Sequence, residues 1–257
     1  MCLLSVACQA HPDYPFIFAG NRDEYHARPS AAADWWDDAP DVLGGRDLVA
    51  GGSWLGIRRD GRFAVVTNRP ELPAPEHGAL SRGDLVSGWL KQGHDDVKGT
   101  LKKKLQTRVE LYGGFSLLLG TVAPGEGVSL ERLSGGNGLQ QLSGVTLGSG
   151  ISGLSNTAPE APWPKLLWLN QEMAGLIANG KPDIPALFER LQRKTAVPDT
   201  ASEGVPATPF ISGSLYGTRC CTVIIVDHTG RCQFVERRFG PEGLATGESS
   251  FEFELAS

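Results

Sequence analysis

Strand-like segments occupy both ends of this chain, and helical patterns lie between them. Near the start, residues 3–10 and 16–21 are apolar runs separated by a connection with two prolines, which predicts a β-hairpin. Residues 222–226, 232–235 and 251–255 have the same β character near the end. Because no β-α-β unit is repeated, this order favours an α+β fold with stacked sheets over a doubly wound parallel sheet.

The middle of the chain predicts further strands and several helices. Asn68 follows a predicted strand-turn-strand unit that is built around Asp60-Gly61. The strand-like segments of this region are residues 51–57, 63–67, 115–122 and 127–133. Helical spacing occurs in residues 85–90, 95–105, 163–178 and 184–191. We expect all these elements to form one domain that covers residues 1–257.

Residues 31–45 and the glycine pairs give two further expectations. Residues 31–45 are rich in Ala, Asp, Trp and Pro without a period, which predicts a surface loop beside a cleft, with Trp35-Trp36 as a lid or as loop packing. The pairs Gly44-Gly45 and Gly51-Gly52 are not followed by Gly-Lys-Ser/Thr, so they indicate turns rather than a phosphate loop. Glycine supplies 33 of 257 residues, against a usual share of roughly 7%, which indicates many tight turns.

Composition and charge exclude several classes of function. A formal net charge of −5 provides no basic surface for a phosphate backbone, so we expect no nucleic-acid partner. No apolar run approaches the roughly 18 residues that span a bilayer, and the start lacks the pattern of a secretory signal, which favours a cytoplasmic protein without a transmembrane segment. The 5 cysteines form no Cys-x-x-Cys pair, so we expect reduced thiols and no metal site.

Cys2 follows Met1 directly and precedes an apolar run. Removal of the initiator is favoured before a small residue such as cysteine, and it leaves a thiol and a free α-amine on one residue. Their unperturbed pKa values are about 8.5 and about 7.7–8, so the amine can act as the base for its own nucleophile. The alternative is that Cys2 is a small apolar residue at the start of a buried strand.

Four further residues are candidates for the groups that acyl transfer requires. Asp23 lies just past the second strand, where it can accept hydrogen bonds from the Cys2 amine. Asn68 and Asn156 each follow a β-like run, and their amides can donate to an oxyanion. Arg219 begins a late strand and can polarise the nucleophile.

Each of these candidates has a structural alternative. Asn and Asp at strand ends commonly form turns. The neighbours Asn21, Arg22 and Glu24 can support the site, or Arg22, Asp23 and Glu24 can form a solvated ion-pair cluster that contributes little energy.

The motifs around these residues add a resemblance to a known family. They are Met1-Cys2-Leu3, Asn21-Arg22-Asp23-Glu24, Gly52-Ser53-Trp54-Leu55-Gly56, Thr67-Asn68-Arg69, Gly153-Leu154-Ser155-Asn156, Pro162-Trp163-Pro164-Lys165 and Tyr216-Gly217-Thr218-Arg219. In this order they resemble the NRDE family, also called the transport and Golgi organisation family, over essentially the whole chain. The resemblance implies an αββα N-terminal-nucleophile fold, with two stacked antiparallel sheets between helical layers. It also implies links to Golgi organisation and secretion, haem mobilisation, and lipid or coenzyme-A metabolism.

A more distant resemblance is to cholylglycine hydrolase and penicillin V acylase. In order, Cys2, Asp23, Asn68, Asn156 and Arg219 correspond to the functional positions of that group. Those hydrolases carry an arginine three residues before the aspartate, where this chain has glycine at position 20. The arginine at position 22 is expected to point elsewhere on an extended segment, and therefore not to replace it.

Three hypotheses follow from these observations. The first is an N-terminal-nucleophile amidase or acyl transferase that acts on the C–N bond of a small acylated metabolite, or on a thioester, and requires no cofactor. The second is a non-catalytic carrier of haem, or of an acyl-CoA or lipid. Candidate iron ligands are the scattered histidines His11, His26, His77, His94 and His228. The third is a trafficking scaffold in Golgi organisation and secretion.

Overall fold

The computed structural model describes residues 2–75, 79–92, 97–123, 125, 127–139, 141–178, 180–198 and 207–256. The chain divides into two compact units, which we call unit 1 and unit 2. Unit 1 comprises Met1–Arg28, Pro124–Val128 and Gly148–Glu254, and unit 2 comprises Pro29–Ala123, Ser129–Leu147 and Leu255–Ser257. The single domain expected from the sequence stays a prediction.

The regular elements of the described residues are mostly strands. The strands are β1 (Cys2–Cys8), β2 (Phe16–Tyr25), β3 (Ser30–Trp36), β4 (Ala39–Asp47), β5 (Leu55–Arg58), β6 (Arg62–Asn68), β7 (Phe115–Ala123), β8 (Gly127–Gly135), β9 (Ser143–Thr146), β10 (Gly150–Leu154), β11 (Tyr216–Val226), β12 (Arg231–Phe239) and β13 (Ala245–Glu254). The α-helices are α1 (Gly83–Lys91), α2 (Val97–Gln106), α3 (Pro164–Ile177) and α4 (Ile184–Leu191). The predicted hairpin near the start is confirmed as β1 and β2.

Unit 1 contains a six-stranded sheet with the order β10-β1-β2-β11-β12-β13. Every pairing in it is antiparallel. One face packs against α3 and α4, whose apolar side chains join those of β1, β2 and β11 in a core that includes Leu3, Ile17, Leu169, Phe188 and Val223. Burial of this apolar surface stabilises the unit and holds β1 and β2 in the centre of the sheet.

Unit 2 contains a seven-stranded sheet with the order β3-β4-β5-β6-β7-β8-β9. Its core joins α1 and α2 to strands β6 and β7, and includes Val66, Trp89, Leu105 and Leu117. The predicted turn between β5 and β6 is confirmed, because Gly61 has φ +79°, a conformation that glycine adopts without strain. The predicted second helix is described from Val97, and Asp95 lies outside the described residues.

Residues 31–45 are not a surface loop, as the sequence suggested, but contribute to strands β3 and β4. Trp36 is buried, and its Nε1 donates a hydrogen bond to the carbonyl of Gly44 at 2.9 Å, so Trp36 packs within the hairpin. Gly44 and Gly45 lie inside β4 rather than in a turn. The Trp54 side chain and the Leu55 carbonyl occupy the space that a Cβ at these glycines would need. A steric requirement, rather than a turn, therefore explains this glycine pair.

Strand β9 was not predicted, because its short sequence lacks an apolar alternation, whereas β10 is the β-like run that was expected before Asn156. The helices predicted over residues 163–178 and 184–191 are confirmed as α3 and α4. Within the described part of the chain, no helix has both the length and the apolar character needed to cross a membrane.

Candidate functional site

The pairing of β1, β2 and β11 places the predicted nucleophile beside the predicted acid. Cys2 is the first residue of β1 and pairs with Arg22, while Asp23 pairs with Thr218 of β11. The β2–β11 register shifts between Thr218 and Cys220, so the residue between them, Arg219, is the extra residue of a bulge. Residues from three neighbouring strands therefore meet at this end of the unit 1 sheet.

Cys2 is the accessible cysteine of the chain. It is partly exposed, whereas Cys8, Cys220, Cys221 and Cys232 are buried. Its main-chain nitrogen donates a hydrogen bond to Oδ1 of Asn156. Burial raises the pKa of the Cys2 thiol, and Asp23 raises it further by its charge, whereas the charge of Arg22 and a hydrogen bond from the Asp23 main chain lower it. The net increase favours a neutral thiol, which needs a base before it can attack a carbonyl.

Asp23 is held by groups from β11. Its side chain is 2% exposed, and its Oδ1 accepts a hydrogen bond from the Thr218 hydroxyl at 2.7 Å. The Tyr216 hydroxyl donates to the Asp23 main-chain carbonyl at 2.9 Å. Burial raises the pKa of Asp23, and the Thr218 hydrogen bond and the charge of Lys165 oppose this increase. The carboxyl group is therefore fixed in position by its neighbours, while its ionisation is opposed by burial.

Asn156 lies two residues after β10 and is buried next to Cys2. The sequence predicted it as a donor to an oxyanion. The hydrogen bond from the Cys2 nitrogen to Asn156 Oδ1 is a contact that the sequence did not predict. Through it, the carbonyl end of the amide orients the Cys2 main chain. In this arrangement the opposite end of the same amide, Nδ2, is the donor that the predicted role requires.

Lys165 also acts on the site, although its sequence motif did not indicate such a role. It lies in the first turn of α3 and is 1% exposed. Burial lowers the pKa of Lys165, and the charges of Asp23 and Cys2 oppose this decrease. A signal for its burial was present, because Leu169 and Met173 follow it at intervals of four residues and share its buried helix face. A lysine on such a stripe is rarely buried without a charged partner.

The expectation that Arg22 points elsewhere than the side chain of residue 20 is wrong, because the two positions share a face of the sheet. Residues two apart on a strand share a face, and directly opposed residues of antiparallel strands share one as well. Because Cys2 pairs with Arg22, and Leu4 pairs with Gly20, Arg22 lies on the face of both Gly20 and Cys2. Gly20 itself has no room for a side chain, since a Cβ there would lie 2.8 Å from Cζ of Phe18.

Arg219, a further predicted residue, has described contacts that hold the chain around the site. Arg219 Nη1 donates to the carbonyls of Tyr25, His26 and Arg28 at 2.9, 3.3 and 2.9 Å, which fixes the turn after β2. Burial lowers the pKa of Arg219, and the nearby charge of Arg22 lowers it further. The role of Arg219 in polarising Cys2 stays a prediction.

The supporting residues Asn21 and Glu24 have local roles in the described structure. Asn21 Nδ2 donates to the carbonyls of Leu191 and Pro209 at 2.8 and 3.0 Å, which ties β2 to the end of α4. Glu24 Oε1 accepts a hydrogen bond from the main-chain nitrogen of Tyr25 at 2.8 Å. Asn21 therefore contributes to the frame of the site.

Asn68 is the last residue of β6 in unit 2, where it pairs with Phe115 of β7. Its predicted role as an amide donor to the oxyanion stays a prediction. In the described part of the chain, no three His, Cys, Asp or Glu side chains form a cluster that could hold a metal ion. Two of the histidines considered as iron ligands, His77 and His94, lie outside the described residues.

The family of the chain follows from its match to known sequences. The sequence model of Transport and Golgi organisation 2 matches residues 1–241. The chain belongs to this family. The Transport and Golgi organization 2 homolog of Mus musculus is 31% identical over 282 residues, and the Homo sapiens homolog is 32% identical over 284 residues, with 100% of each chain covered. The Drosophila melanogaster protein is 25% identical and covers 92% of this chain and 91% of its own.

Solved structures show the fold of this family member. The chain is similar to a Caenorhabditis elegans ortholog of N-acylethanolamine-hydrolyzing acid amidase, with a TM-score of 0.51, 13% identity, and coverage of 88% of this chain and 92% of that one. It is also similar to the C2A mutant of conjugated bile acid hydrolase from Clostridium perfringens, with a TM-score of 0.51, 7% identity, and coverage of 98% and 92%. Both are N-terminal-nucleophile hydrolases, so the predicted α+β fold class is confirmed.

Proposed function

We propose that this protein is an N-terminal-nucleophile amidase or acyl transferase that uses Cys2, after removal of Met1, on the C–N bond of a small acylated metabolite. The observation that carries the proposal is the placement of the Cys2 nitrogen on Asn156 Oδ1, beside the buried carboxyl of Asp23. We further propose that the protein acts in the cytoplasm and requires no cofactor.

The first half of the proposed reaction forms a thioester. The Cys2 sulfur attacks the carbonyl carbon of the amide, and the thiol proton passes to the Cys2 α-amine. An internal base is needed because burial raises the pKa of this thiol. The amide of Asn156 donates to the oxyanion of the tetrahedral intermediate, and Asp23 accepts a hydrogen bond from the resulting ammonium group. The C–N bond then breaks, and the leaving amine takes the proton from that ammonium group.

The second half of the proposed reaction releases the acyl group. Water attacks the thioester carbonyl, and the α-amine accepts one of its protons. Collapse of the intermediate breaks the C–S bond, releases a carboxylic acid and returns the proton to the Cys2 sulfur. If an amine or alcohol replaces the water, the same steps transfer the acyl group, so hydrolysis and transfer differ only in the acceptor.

The test combines mass spectrometry with a screen of N-acyl amides and acyl-CoA thioesters. We expect purified native protein to lack Met1 and to gain the mass of an acyl group during turnover. Cys2→Ala abolishes both the acyl adduct and turnover, with a loss on the order of 10³-fold or more. Cys8→Ala is the matched control, because Cys8 ends the same strand and is buried, and it retains both. Retention of Met1, or full turnover by Cys2→Ala, would falsify the proposal.

The alternative proposal is carriage of haem, or of an acyl-CoA or lipid, by a factor in Golgi organisation and secretion. It is supported by the names of the curated relatives, which refer to transport and Golgi organisation. A haem titration tests it with single variants of Cys2 and of each histidine. Saturable binding at micromolar protein that one of these variants abolishes supports specific carriage. Specific carriage is rejected if the protein causes no shift of the Soret band, or if every variant causes the same shift as the parent.

A further inference from the structure

Lys165 reaches the site because of how α3 begins. Pro164 occupies the first turn of this helix, where its fixed φ and missing N–H are tolerated. The helix start is pressed against β10, since a Cβ at Gly153 would lie 2.6 Å from Cδ1 of Leu166. This close approach directs the side chain of Lys165 into the interior of unit 1, where it is 1% exposed.

A buried ammonium group needs compensation from its surroundings. The described neutral contacts of Lys165 are long: Nζ lies 3.5 Å from the carbonyl oxygen of Thr208 and 5.0 Å from the centre of the Trp163 ring. The described groups whose negative charge acts on Lys165 are Asp23 and, when it is ionised, the Cys2 thiol. Asp23 ionises more readily than a buried thiol, and it is therefore the group that balances the charge of Lys165.

The two cations of the site lie on different sides of β2. Arg22 shares the face of Cys2, whereas Asp23, its neighbour in sequence, points to the opposite face, which packs against α3 and α4. Lys165 approaches from α3, on the same side of the sheet as the Asp23 carboxyl group, and its charge lowers the pKa of that group. Lys165 therefore acts on Asp23 from the helix side, whereas Arg22, on the opposite face, acts on both Asp23 and Cys2.

We propose that Lys165 is a positioning residue of the Cys2 site, whose ammonium group keeps Asp23 in the carboxylate form so that Asp23 can accept a hydrogen bond from the Cys2 α-amine. The catalytic role of Asp23 in this inference rests on the proposed function. The proposed Lys165–Asp23 ion pair is testable in the resting protein. The described groups that lower the pKa of Asp23 include Thr218, Lys165 and Arg22, and the other titratable groups that its charge affects are Cys2, Tyr216 and Cys221.

The test is a ¹³C NMR titration of aspartate side-chain carboxyl groups in the full chain. The Asp23 signal is assigned by its absence in Asp23→Asn. In Lys165→Met we expect the titration midpoint of Asp23 to move upward by about one to three pH units, as for loss of a cation next to a carboxylate. Lys165→Arg keeps the charge and retains the midpoint of the parent protein. Lys194→Met removes an exposed lysine of the same unit and is the matched control, with no change expected.

Two outcomes overturn the proposal. One is a folded Lys165→Met protein, shown by a cooperative melt, in which Asp23 titrates at the parent midpoint. The other applies if Lys165→Met does not fold: the double variant Asp23→Asn, Lys165→Met then removes both charges. Recovery of folding supports the ion pair, and no recovery overturns it. Because the titration requires neither turnover nor removal of Met1, its failure is distinguishable from failure of the proposed function.

Discussion

Thr218→Val tests whether the hydrogen bond from Thr218 of β11 to Asp23 stabilises the protein as the structure indicates. Thr218 is fully buried, and its hydroxyl donates to Asp23 Oδ1 at 2.7 Å while accepting from the main-chain nitrogen of Ile211 at 3.0 Å. Valine has nearly the same shape and removes both hydrogen bonds. A hydrogen bond to a charged group contributes about 1.5–3 kcal/mol and a neutral one about 1 kcal/mol, so we expect a loss of about 2.5–4 kcal/mol in the free energy of unfolding.

The pH dependence of this loss follows from the pKa of Asp23. The Thr218 hydrogen bond lowers that pKa, although burial raises it overall, so the variant has a higher folded-state pKa than the parent. Below both folded-state values the carboxyl group is protonated in both proteins and the difference is smallest. As the pH rises through the parent's folded-state pKa, the parent ionises with its hydrogen bond and the variant without it, so the destabilisation grows.

Urea denaturation from pH 4 to pH 9 measures this effect, and thermal melts provide a check, with an expected decrease of about 5–15 °C. Thr218→Ser is the matched control, because it keeps the hydroxyl and loses only a methyl group, at about 1 kcal/mol. The reasoning is refuted if Thr218→Val is within about 0.5 kcal/mol of Thr218→Ser at pH 8, since the loss of two buried hydrogen bonds exceeds that difference.

Three further predictions concern the same strands. Native protein incorporates one iodoacetamide label, on Cys2, because the other cysteines are buried; peptide mass spectrometry that finds a second labelled site in folded protein contradicts this. Gly20→Ala destabilises the protein by about 1–3 kcal/mol, because the new Cβ would lie 2.9 Å from Cβ of Leu4; an unchanged urea midpoint argues against it. Asp23→Asn becomes more stable relative to the parent as the pH rises from the ordinary carboxyl range through the raised folded-state pKa of Asp23, because the folded parent loses stability on ionisation; equal pH profiles from pH 4 upward in urea denaturation refute this.

Local pattern was sufficient to predict the elements whose residues alternate or repeat clearly. The hairpin of β1 and β2 has apolar runs and a proline-containing connection, and α3 begins at a proline, as expected for a helix start. Strand β4 was missed because its sequence combines Asp, Pro and two glycines, which are depleted in strands. Its pairing with β3 and β5 depends on contacts that a local window does not contain.

The site was predictable where the functional residue lies at the end of a recognisable strand. Asp23 and Asn156 were found in this way, and the hydrogen bond of Asn156 to the Cys2 nitrogen places it at the nucleophile. Lys165 was not found, although its burial is readable from the helix periodicity, because its partner Asp23 lies more than 140 residues earlier in the sequence. Proximity of this kind arises from the packing of α3 on the sheet, which the sequence alone does not specify.

The position of Arg22 changes the interpretation of the glycine at position 20, because alternate residues of a strand share one face of the sheet. Adjacent strand residues point to opposite faces, and for that reason Arg22 was expected to be unable to replace an arginine two residues earlier. A separation of two residues, however, returns to the same face, and the pairing of β1 with β2 sets Arg22 directly opposite Cys2. Its charge lowers the pKa of the Cys2 thiol against the effect of burial. The absence of an arginine at position 20 therefore does not leave Cys2 without a positive charge nearby, because Arg22 supplies one two pairs along the ladder, directly opposite Cys2.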